Sequence, residues 1–456
     1  MGGVAHTINP RLFEDQIVYI ANHAEDRVLF FDLSFLKLVE SVAPRLNTIE
    51  KFVLLTDRAH MPENSPLELL CYEDLVAAQD GKFDWVDVDE HAPSGLCYTS
   101  GTTGNPKGVL YSHRSNVLHA FAASLNDVFG LSAQTVVMPF SPMYHANAWS
   151  VPYAAALTGA KLVLAGPHTD APTLHKLIVD EDVDFTLAVP TVWLSMLQHL
   201  EKTGEHLGKL KRVAIGGSAV PRMMIERFQN DHGVTVSQIW GMTELSPIGT
   251  SGTPCPDVLA MGAEAKLDAQ CKQGRAVFGV EMKIVDDAGA ELPRDGVAFG
   301  RLLVRGPWTV GQYFKGDGGQ VLDADGWFDT GDVATLDALS YMHIVDRSKD
   351  VIKSGGEWIS SIELENAAVG CPGIAEAAVI GVAHPKWDER PLLVVVRKPD
   401  ASVSKDEVLA YLAGKIAKWW TPDDVVFVNE LPHTATGKLL KTALRDQFRD
   451  YVLPTI

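Results

Sequence analysis

The sequence predicts an α/β protein with a large N-terminal domain of layered α/β sheets, a small β-barrel-like subdomain, and a small α+β C-terminal domain. Three observations support this. Short apolar runs alternate with helix-like stretches from about Leu96 to Glu244, residues 275–345 carry short β-rich runs, and the pattern changes after Arg347. We expect the boundary within Asp346–Lys353, which gives domains of residues 1–346 and 347–456.

The apolar runs of the large domain have the length of buried strands. The candidate strands are Leu96–Ser100, Val136–Phe140, Lys161–Ala165, Phe185–Val189 and Arg212–Ile215. After the first strand, apolar residues recur at helical spacing, at Val117, Phe121, Leu125 and Val128. This spacing predicts an amphipathic helix.

The two later segments differ in how their strands are connected. In the β-rich segment, turn sequences such as Asp286–Gly289 and Asp323–Gly326 separate the candidate strands Phe278–Val285, Gly300–Val304 and Tyr341–Val345. In the C-terminal segment, the predicted elements are the strands Ala377–Val382 and Leu392–Arg397 and a helix near Lys405–Ala417.

Bulk composition excludes several classes of protein. The chain has 456 residues and a net charge of −19, which disfavours nucleic acid as a main partner. Its five cysteines are scattered, with no Cys-x-x-Cys pair, so we expect a reduced, cytoplasmic setting. No apolar run has the length of a bilayer span, and the first residues do not resemble a signal peptide.

The segment Tyr98–Gly108 is the strongest local motif. Glycine lets backbone N–H groups converge on an anion, hydroxyl groups add donors, and lysine adds positive charge. The motif predicts a phosphate-binding loop made by Thr99, Ser100, Gly101, Thr102, Thr103, Gly104 and Lys107. It is not a Walker A loop, because Pro106 and Gly108 flank the lysine.

This loop resembles the phosphate loop of the adenylate-forming superfamily, which includes acyl-CoA synthetases, luciferases and peptide-synthetase adenylation domains. Further motifs of that superfamily follow in order along the chain. They are Gly216–Ala219, Trp240–Glu244, Gly326–Asp332, Val345–Asp350 and Leu431–Lys438.

The resemblance implies a site for ATP and Mg²⁺. It implies that Trp240, with Gly241 and Met242, flanks adenine, that Thr243 contacts phosphate, and that Glu244 and Thr103 hold the metal. The loop of Gly217, Ser218 and Ala219 would lie beneath the adenine and acyl groups. Asp332 and Arg347 would bind the ribose hydroxyls. Lys438 would stabilise the charge that develops on the α-phosphate, so the catalytic set is Lys438, His145, Glu244 and Thr103.

A second half-reaction with CoA is also implied by the resemblance. Members of this superfamily rotate a mobile C-terminal domain between two catalytic states. Lys349 matches the hinge position. The loop that faces the site in the thioester-forming state corresponds to Lys353, Gly355, Gly356, Glu357 and Trp358.

The substrate class is expected to depend on the segment Pro142–Trp149. By resemblance, His145 sits between the acyl group and the CoA thiol, and Trp149 and Gly216 line the acyl pocket. No Asp occurs between Phe140 and Trp149, which disfavours amino acids. A bulky Trp favours slender apolar acids.

Longer strings of residues are similar to the bacterial 3-methylthiopropionate–CoA ligases, a group of medium-chain fatty acyl-CoA ligases. These strings are Tyr98–Ser115, Trp240–Pro247, Asp346–Trp358 and His384–Val396. A short- or medium-chain acid is therefore expected, with the thioether acid as the sharpest candidate. Thioether and methylene groups are similar in size and apolarity, so discrimination would be weak.

The segment Gly2–Leu12 resembles an internal part of these ligases, which predicts an N-terminally shortened form. Three hypotheses stay open: an active acyl-CoA ligase, a non-catalytic nucleotide- or acyl-binding remnant, and an adenylating enzyme with another acceptor. The sequence also leaves a homodimer open.

Overall fold

The computed structural model describes residues 2–99, 105–355, 357–399, 401–433 and 439–455, without the side chains of Glu357 and Trp358. These residues form five sheets with helices packed against them. None of the described helices combines the length and the apolar composition that a bilayer span requires.

The first part of the chain builds two three-stranded sheets, one of which presents the predicted phosphate loop. The elements are β1 (Ala5–His6), α1 (Glu14–Ala24), β2 (Val28–Phe31), α2 (Leu36–Val42), β3 (Lys51–Leu54), β4 (Leu69–Cys71), α3 (Tyr72–Ala77), β5 (Pro93–Tyr98) and β6 (Gly108–Ser112). Strands β2, β3 and β4 are parallel. Strands β5 and β6 are antiparallel, and the predicted phosphate loop connects them along the chain.

The central sheet has seven strands in the order β13-β12-β11-β10-β9-β7-β8 and is parallel from β8 to β11. Its elements are α4 (His113–Ser124), β7 (Val136–Pro139), α5 (Ala146–Trp149), α6 (Val151–Thr158), β8 (Lys161–Leu162), α7 (Ala171–Asp180), β9 (Phe185–Ala188), α8 (Pro190–Thr203), β10 (Arg212–Gly216), α9 (Arg222–His232), β11 (Thr235–Gly241), β12 (Ile248–Ser251), α10 (Pro256–Leu259), α11 (Ala263–Gln270) and β13 (Arg275–Ala276). The predicted strands form here because parallel strands covered on both faces read as continuous apolar runs.

Helix α4 forms where the apolar spacing predicted it, but with the opposite face buried. Val117, Phe121 and Leu125 are 51%, 55% and 46% exposed. The face turned inward carries Ala120 and Ala123, whose small side chains let α4 approach α6 closely. The spacing located the helix but not its buried face, and Val128, the last residue of the predicted pattern, is buried beyond the end of α4.

The β-rich segment is a four-stranded antiparallel sheet in chain order. Its strands are β14 (Glu281–Val285), β15 (Phe299–Arg305), β16 (Phe328–Leu336) and β17 (Met342–Arg347). In its last pair, Asp332 lies opposite Arg347 and Val333 opposite Asp346. Neighbouring residues of a strand point to opposite faces, so the two aspartates have different surroundings.

A second mixed sheet follows, in the order β19-β18-β21-β20 with β22 paired to β21. Its elements are β18 (Ile352–Ser354), β19 (Glu357–Ile359), α12 (Ser361–Val369), β20 (Ile374–His384), β21 (Asp388–Arg397), α13 (Lys405–Leu412), β22 (Asp424–Val428) and α14 (Lys441–Gln447). It has its own apolar core on both faces. The α+β prediction is confirmed, whereas the exact domain boundary stays a prediction.

Candidate active site

The predicted nucleotide motifs follow the ends of β10 and β11, which are adjacent and parallel. Carboxyl ends of parallel strands open on the same edge of a sheet, where ligands of such sheets bind. Gly216 ends β10, and the exposed Gly217 and Ser218 continue from it toward Ala219. The fold therefore brings the Gly216–Ala219 and Trp240–Glu244 motifs to one edge.

A hydrogen-bonded group joins three of the predicted residues. The indole Nε1 of Trp240 donates to Oδ2 of Asp332 at 2.9 Å, and Nε of Arg347 lies 2.8 Å from Oδ1 of the same carboxylate. The Asp332 side chain is 2% exposed and that of Arg347 is 49% exposed. A buried carboxylate thus has one interior partner and one partner that reaches solvent.

Glu244 lies in a second polar group with a tyrosine that the sequence motifs did not identify. The Tyr313 hydroxyl donates to Oε1 of the buried Glu244 at 2.7 Å, and Lys107 Nζ lies 4.9 Å from the centre of the Tyr313 ring. Burial raises the pKa of Tyr313, as does the neighbouring Glu244 carboxylate. No local motif marks Tyr313; only the fold brings it to Glu244.

The ends of the predicted phosphate loop are held together at its base. The Thr99 N–H donates to the Lys107 carbonyl at 2.9 Å, and the Lys107 N–H donates to Oγ1 of Thr99 at 3.1 Å. Beside this loop, the buried Tyr111 donates to the Thr243 carbonyl at 2.8 Å. Tyr111 thereby joins β6, the strand that follows the loop in the chain, to the Trp240–Glu244 motif.

The predicted acyl segment contains an unusual turn. From Ala146 to Ser150 the φ angles are 40°, 45°, 53°, 57° and 67°, all in the left-handed region. This conformation costs roughly 1–2 kcal/mol per non-glycine residue. The Asn147 amide donates to Thr7 Oγ1 at 3.3 Å and accepts from the Tyr153 hydroxyl at 3.4 Å, which ties the turn to its surroundings.

The turn carries Trp149 onto Gly216. A Cβ at position 216 would lie 3.1 Å from Cη2 of Trp149 and 2.4 Å from the Ile239 carbonyl oxygen, so only glycine fits. Trp149 is buried. His145 directly precedes the turn, and its N–H donates to the Pro142 carbonyl at 2.9 Å.

Several predicted residues lie outside the described part of the chain: Ser100, Gly101, Thr102, Thr103, Gly104, Gly356 and Lys438. Among the others, Lys349 is exposed after the end of β17. Lys353 belongs to the β18–β19 hairpin, and Gly355 donates its N–H to the Trp387 carbonyl at 2.8 Å. Lys353 thus lies within the second mixed sheet, and the hinge role of Lys349 and the CoA-related roles of Lys353 and Gly355 stay predictions.

Comparison with known proteins identifies the family. Residues 1–314 match the AMP-binding enzyme family, and residues 363–438 match the AMP-binding enzyme C-terminal domain. The chain is 54% identical to the 3-methylmercaptopropionyl-CoA ligase of Ruegeria pomeroyi over 449 residues, 98% of this chain and 83% of that protein. It is 49% identical to the medium-chain-fatty-acid–CoA ligase of Ectopseudomonas oleovorans over 455 residues, 99% of this chain and 83% of that protein.

A solved structure agrees with these matches. The anthranilate CoA ligase AuaEII, in complex with anthranoyl-AMP, superposes with a TM-score of 0.83 at 25% identity, covering 98% of this chain and 83% of that one. The family resemblance and the fold class predicted from the sequence are both confirmed. The chain belongs to the AMP-binding enzyme family, within the adenylate-forming superfamily whose motifs its sequence carries.

Proposed function

We propose that this chain is an ATP-dependent acyl-CoA ligase. In the first step a carboxylate oxygen of the acid bonds to the α-phosphorus of ATP, and the bond to pyrophosphate breaks. In the second step the CoA sulfur bonds to the acyl carbon, AMP leaves, and the thiol proton passes to solvent. The observation that carries the proposal is the hydrogen-bonded group of Trp240, Asp332 and Arg347, which joins residues from three of the motifs.

The nucleotide is held by residues from three motifs. Asp332 accepts from the ribose hydroxyls, because its carboxylate is already oriented by Trp240 and Arg347. Trp240 flanks adenine, and Thr243 and Lys107 meet the phosphates. Holding the α-phosphorus in line with the acid supplies the main rate advantage of such a reaction.

Mg²⁺ fits the residues at Glu244. Its buried carboxylate offers hard oxygen ligands, and Tyr313 orients Oε1. The ion would be held by Glu244 with Thr103, and it would neutralise charge on the phosphate oxygens. Lys438 provides further positive charge where the pentavalent transition state develops.

The acid is proposed to be short- or medium-chain, with 3-methylthiopropionate as the sharpest candidate. Trp149 packs against Gly216, and a bulky indole in the predicted acyl segment favours slender apolar acids. The names of the two curated relatives point to the same substrate class. Replacing Trp149 by alanine should lengthen the preferred chain.

Two domains, residues 1–346 and 347–456, are proposed to alternate between the half-reactions, with Lys349 as the hinge. Lys349 lies between Asp346 and Asp350, which bond to Ser361 of α12 and Arg445 of α14. Rotation there has to rearrange the bonds on one side of Lys349. Lys349→Pro should therefore slow thioester formation more than adenylate formation.

The test is product analysis by mass spectrometry with ATP, Mg²⁺ and a panel of butyrate, hexanoate, octanoate, 3-methylthiopropionate and benzoate. Acyl-CoA and AMP are expected with CoA present, and acyl-AMP without it. Nucleotide binding without AMP release would indicate a non-catalytic remnant, and product without CoA would indicate another acceptor. Undiminished acyl-adenylate formation in both Glu244→Ala and Lys438→Ala would overturn the mechanism.

A further inference from the structure

Among the described residues, His175, His199 and Glu205 form a group whose nitrogen and oxygen ligand atoms all lie within 4.8 Å of one another. His175 lies in α7, His199 near the carboxyl end of α8, and Glu205 directly follows Gly204, the residue that caps α8. None of the three belongs to the motifs that hold ATP. The group therefore needs its own explanation.

The distances within the group fit a shared cation. Oε2 of Glu205 lies 3.5 Å from Nδ1 of His175 and 3.3 Å from Nε2 of His199. A direct charge-assisted hydrogen bond is shorter, about 2.7–2.9 Å. Two ligand atoms that each lie about 2.0–2.1 Å from a tetrahedral ion are about 3.3–3.4 Å apart, which is close to these two distances.

The tautomer of His175 also supports a cation between the three side chains. Its Nε2 lies 3.0 Å from the His206 carbonyl oxygen, which can only accept, so Nε2 carries the proton. In the neutral ring, Nδ1 then directs a lone pair at the Glu205 carboxylate, which is also an acceptor. A cation between them removes this conflict. An N–H···O=C bond behind the coordinating nitrogen is the usual outer support of a metal-bound histidine.

We propose that His175 Nδ1, His199 Nε2 and the Glu205 carboxylate bind a transition-metal ion of the Zn²⁺ class. Two imidazoles and one carboxylate suit such ions better than Mg²⁺, which takes oxygen ligands. The imidazole side chains are 11% and 15% exposed, whereas that of Glu205 is 52% exposed. The two imidazole rings thus form the buried side of the site, and the carboxylate forms its solvent-exposed side. Water would complete the coordination there.

The position of the site indicates a structural role. The segment that follows Glu205 leads into the amino end of β10, while the nucleotide motifs follow the carboxyl ends of β10 and β11. A bound ion joins α7, α8 and this segment over an apolar core that includes Leu174, Leu200 and Leu207. The ion therefore stabilises the large domain from the edge opposite the reaction.

The competing explanation is a carboxylate between two protonated imidazoles, without a metal. Zn²⁺ titration of chelator-treated protein separates the two, followed by calorimetry, metal analysis and thermal unfolding. Millimolar Mg²⁺ in the buffer occupies hard-oxygen sites. We expect one saturable Zn²⁺ per chain and a rise of several degrees in Tm, because an ion that binds only the folded state stabilises it.

The variants His199→Gln and Glu205→Gln should weaken Zn²⁺ binding by about tenfold or more and abolish the Tm rise. Glu205→Gln changes a solvent-exposed side chain and should fold normally. The matched controls Glu201→Gln, whose carboxylate pairs with Arg227, and His60→Gln, whose ring pairs with Asp57, should bind Zn²⁺ like the unmodified protein.

Spectroscopy of the Co²⁺-substituted protein adds a readout that folding alone does not change. The intense visible absorption of four-coordinate Co²⁺ should appear in the unmodified protein and in both controls, and should be lost in Glu205→Gln. Absence of saturable binding would overturn the proposal. Equal Zn²⁺ affinity in His199→Gln, Glu205→Gln and the unmodified protein would overturn it too, since the ion would then lie elsewhere.

Discussion

Asp332 and Asp346 lie on neighbouring strands, both almost fully buried, yet their partners differ. Asp332 accepts from Trp240 and pairs with Arg347, whose side chain is half exposed. Asp346 accepts from the N–H and the hydroxyl of Ser361, both at 2.6 Å. The Asp332 group therefore reaches solvent through Arg347, whereas Ser361, which bonds to Asp346, is fully buried.

The bonds around Asp346 extend to further residues of α12 and α14. Lys441 donates to the Ser361 hydroxyl at 2.5 Å and pairs with the buried Glu365 at 2.7 Å. Burial alone would lower the pKa of Lys441, but the carboxylates of Glu365, Asp346 and Asp350 raise it. Burial raises the pKa of Asp346, although Lys441 opposes this. The comparison separates a buried carboxylate whose partner reaches solvent, which is proposed to bind a ligand, from one whose side-chain partners are buried, which stabilises the fold.

The largest expected effect is on stability, from Asp346→Ala. Removing one member of this buried charged network leaves the Ser361 N–H and hydroxyl without their acceptor and takes a negative charge away from Lys441, which costs about 3–5 kcal/mol of unfolding free energy. Denaturant unfolding followed by circular dichroism measures this. The control is Asp350→Ala, whose partner Arg445 is partly exposed, so the loss should be about 1 kcal/mol or less. Equal losses in the two variants would contradict the assignment.

Asp332→Asn should lower the affinity for AMP and leave the stability nearly unchanged, the opposite of what is expected for Asp346→Ala. The amide keeps an acceptor for Trp240 but loses the charge that pairs with Arg347 and is proposed to bind ribose, so AMP affinity should fall by about 1.5–3 kcal/mol, roughly ten- to a hundredfold. Calorimetric titration with AMP measures the loss, and unfolding free energy should change by less than about 1 kcal/mol. Unchanged AMP affinity with a large stability loss would place Asp332 with Asp346 as a structural group.

His119 differs from the two aspartates, because it is a buried side chain whose burial favours the neutral form. Burial lowers the pKa of His119 from 6.5 to about 3, and its Nε2 accepts from the Ile248 N–H at 2.9 Å. The unfolded chain takes up a proton below its ordinary pKa and the folded chain does not. The stability is therefore present above the unfolded pKa and is lost as pH falls toward the folded one.

Lowering the pH from about 6 to about 5 should therefore reduce the unfolding free energy by about 1 kcal/mol through His119. The variant His119→Gln keeps a polar group there but does not titrate, so its stability should vary less with pH over that interval. Denaturant unfolding at each pH measures the difference. Identical pH profiles for the two proteins would show that His119 does not supply the slope.

The smallest expected effect is that of Trp240→Phe. It removes the N–H that donates to Asp332 while keeping an aromatic ring, so AMP affinity should fall only a few-fold, about 0.5–1 kcal/mol. Trp308→Phe is the matched control, because its indole N–H donates to the Ile248 carbonyl, at 3.3 Å. That variant should lose stability and keep AMP affinity. A drop in AMP affinity in the control alone would refute the distinction.

Most of the architecture could be predicted from local sequence. The central strands at Val136, Phe185 and Arg212 were placed within a residue of their observed starts, because buried parallel strands are marked by continuous apolar runs. The exposed face of α4 was not predicted, since the apolar spacing at Val117, Phe121 and Leu125 suggested burial. Which face is buried depends on neighbours that local spacing does not record.

The motifs by themselves determined the family and the kinds of chemical group available, because glycine-rich turns and acid or lysine positions are local in the chain. Tertiary structure decided which groups meet. Trp240 reaches Asp332 across 92 positions, Tyr313 reaches Glu244 across 69, and His175 of α7 faces Glu205 beyond the end of α8. Contacts between distant residues depend on strand register and packing, which no single segment of the chain encodes.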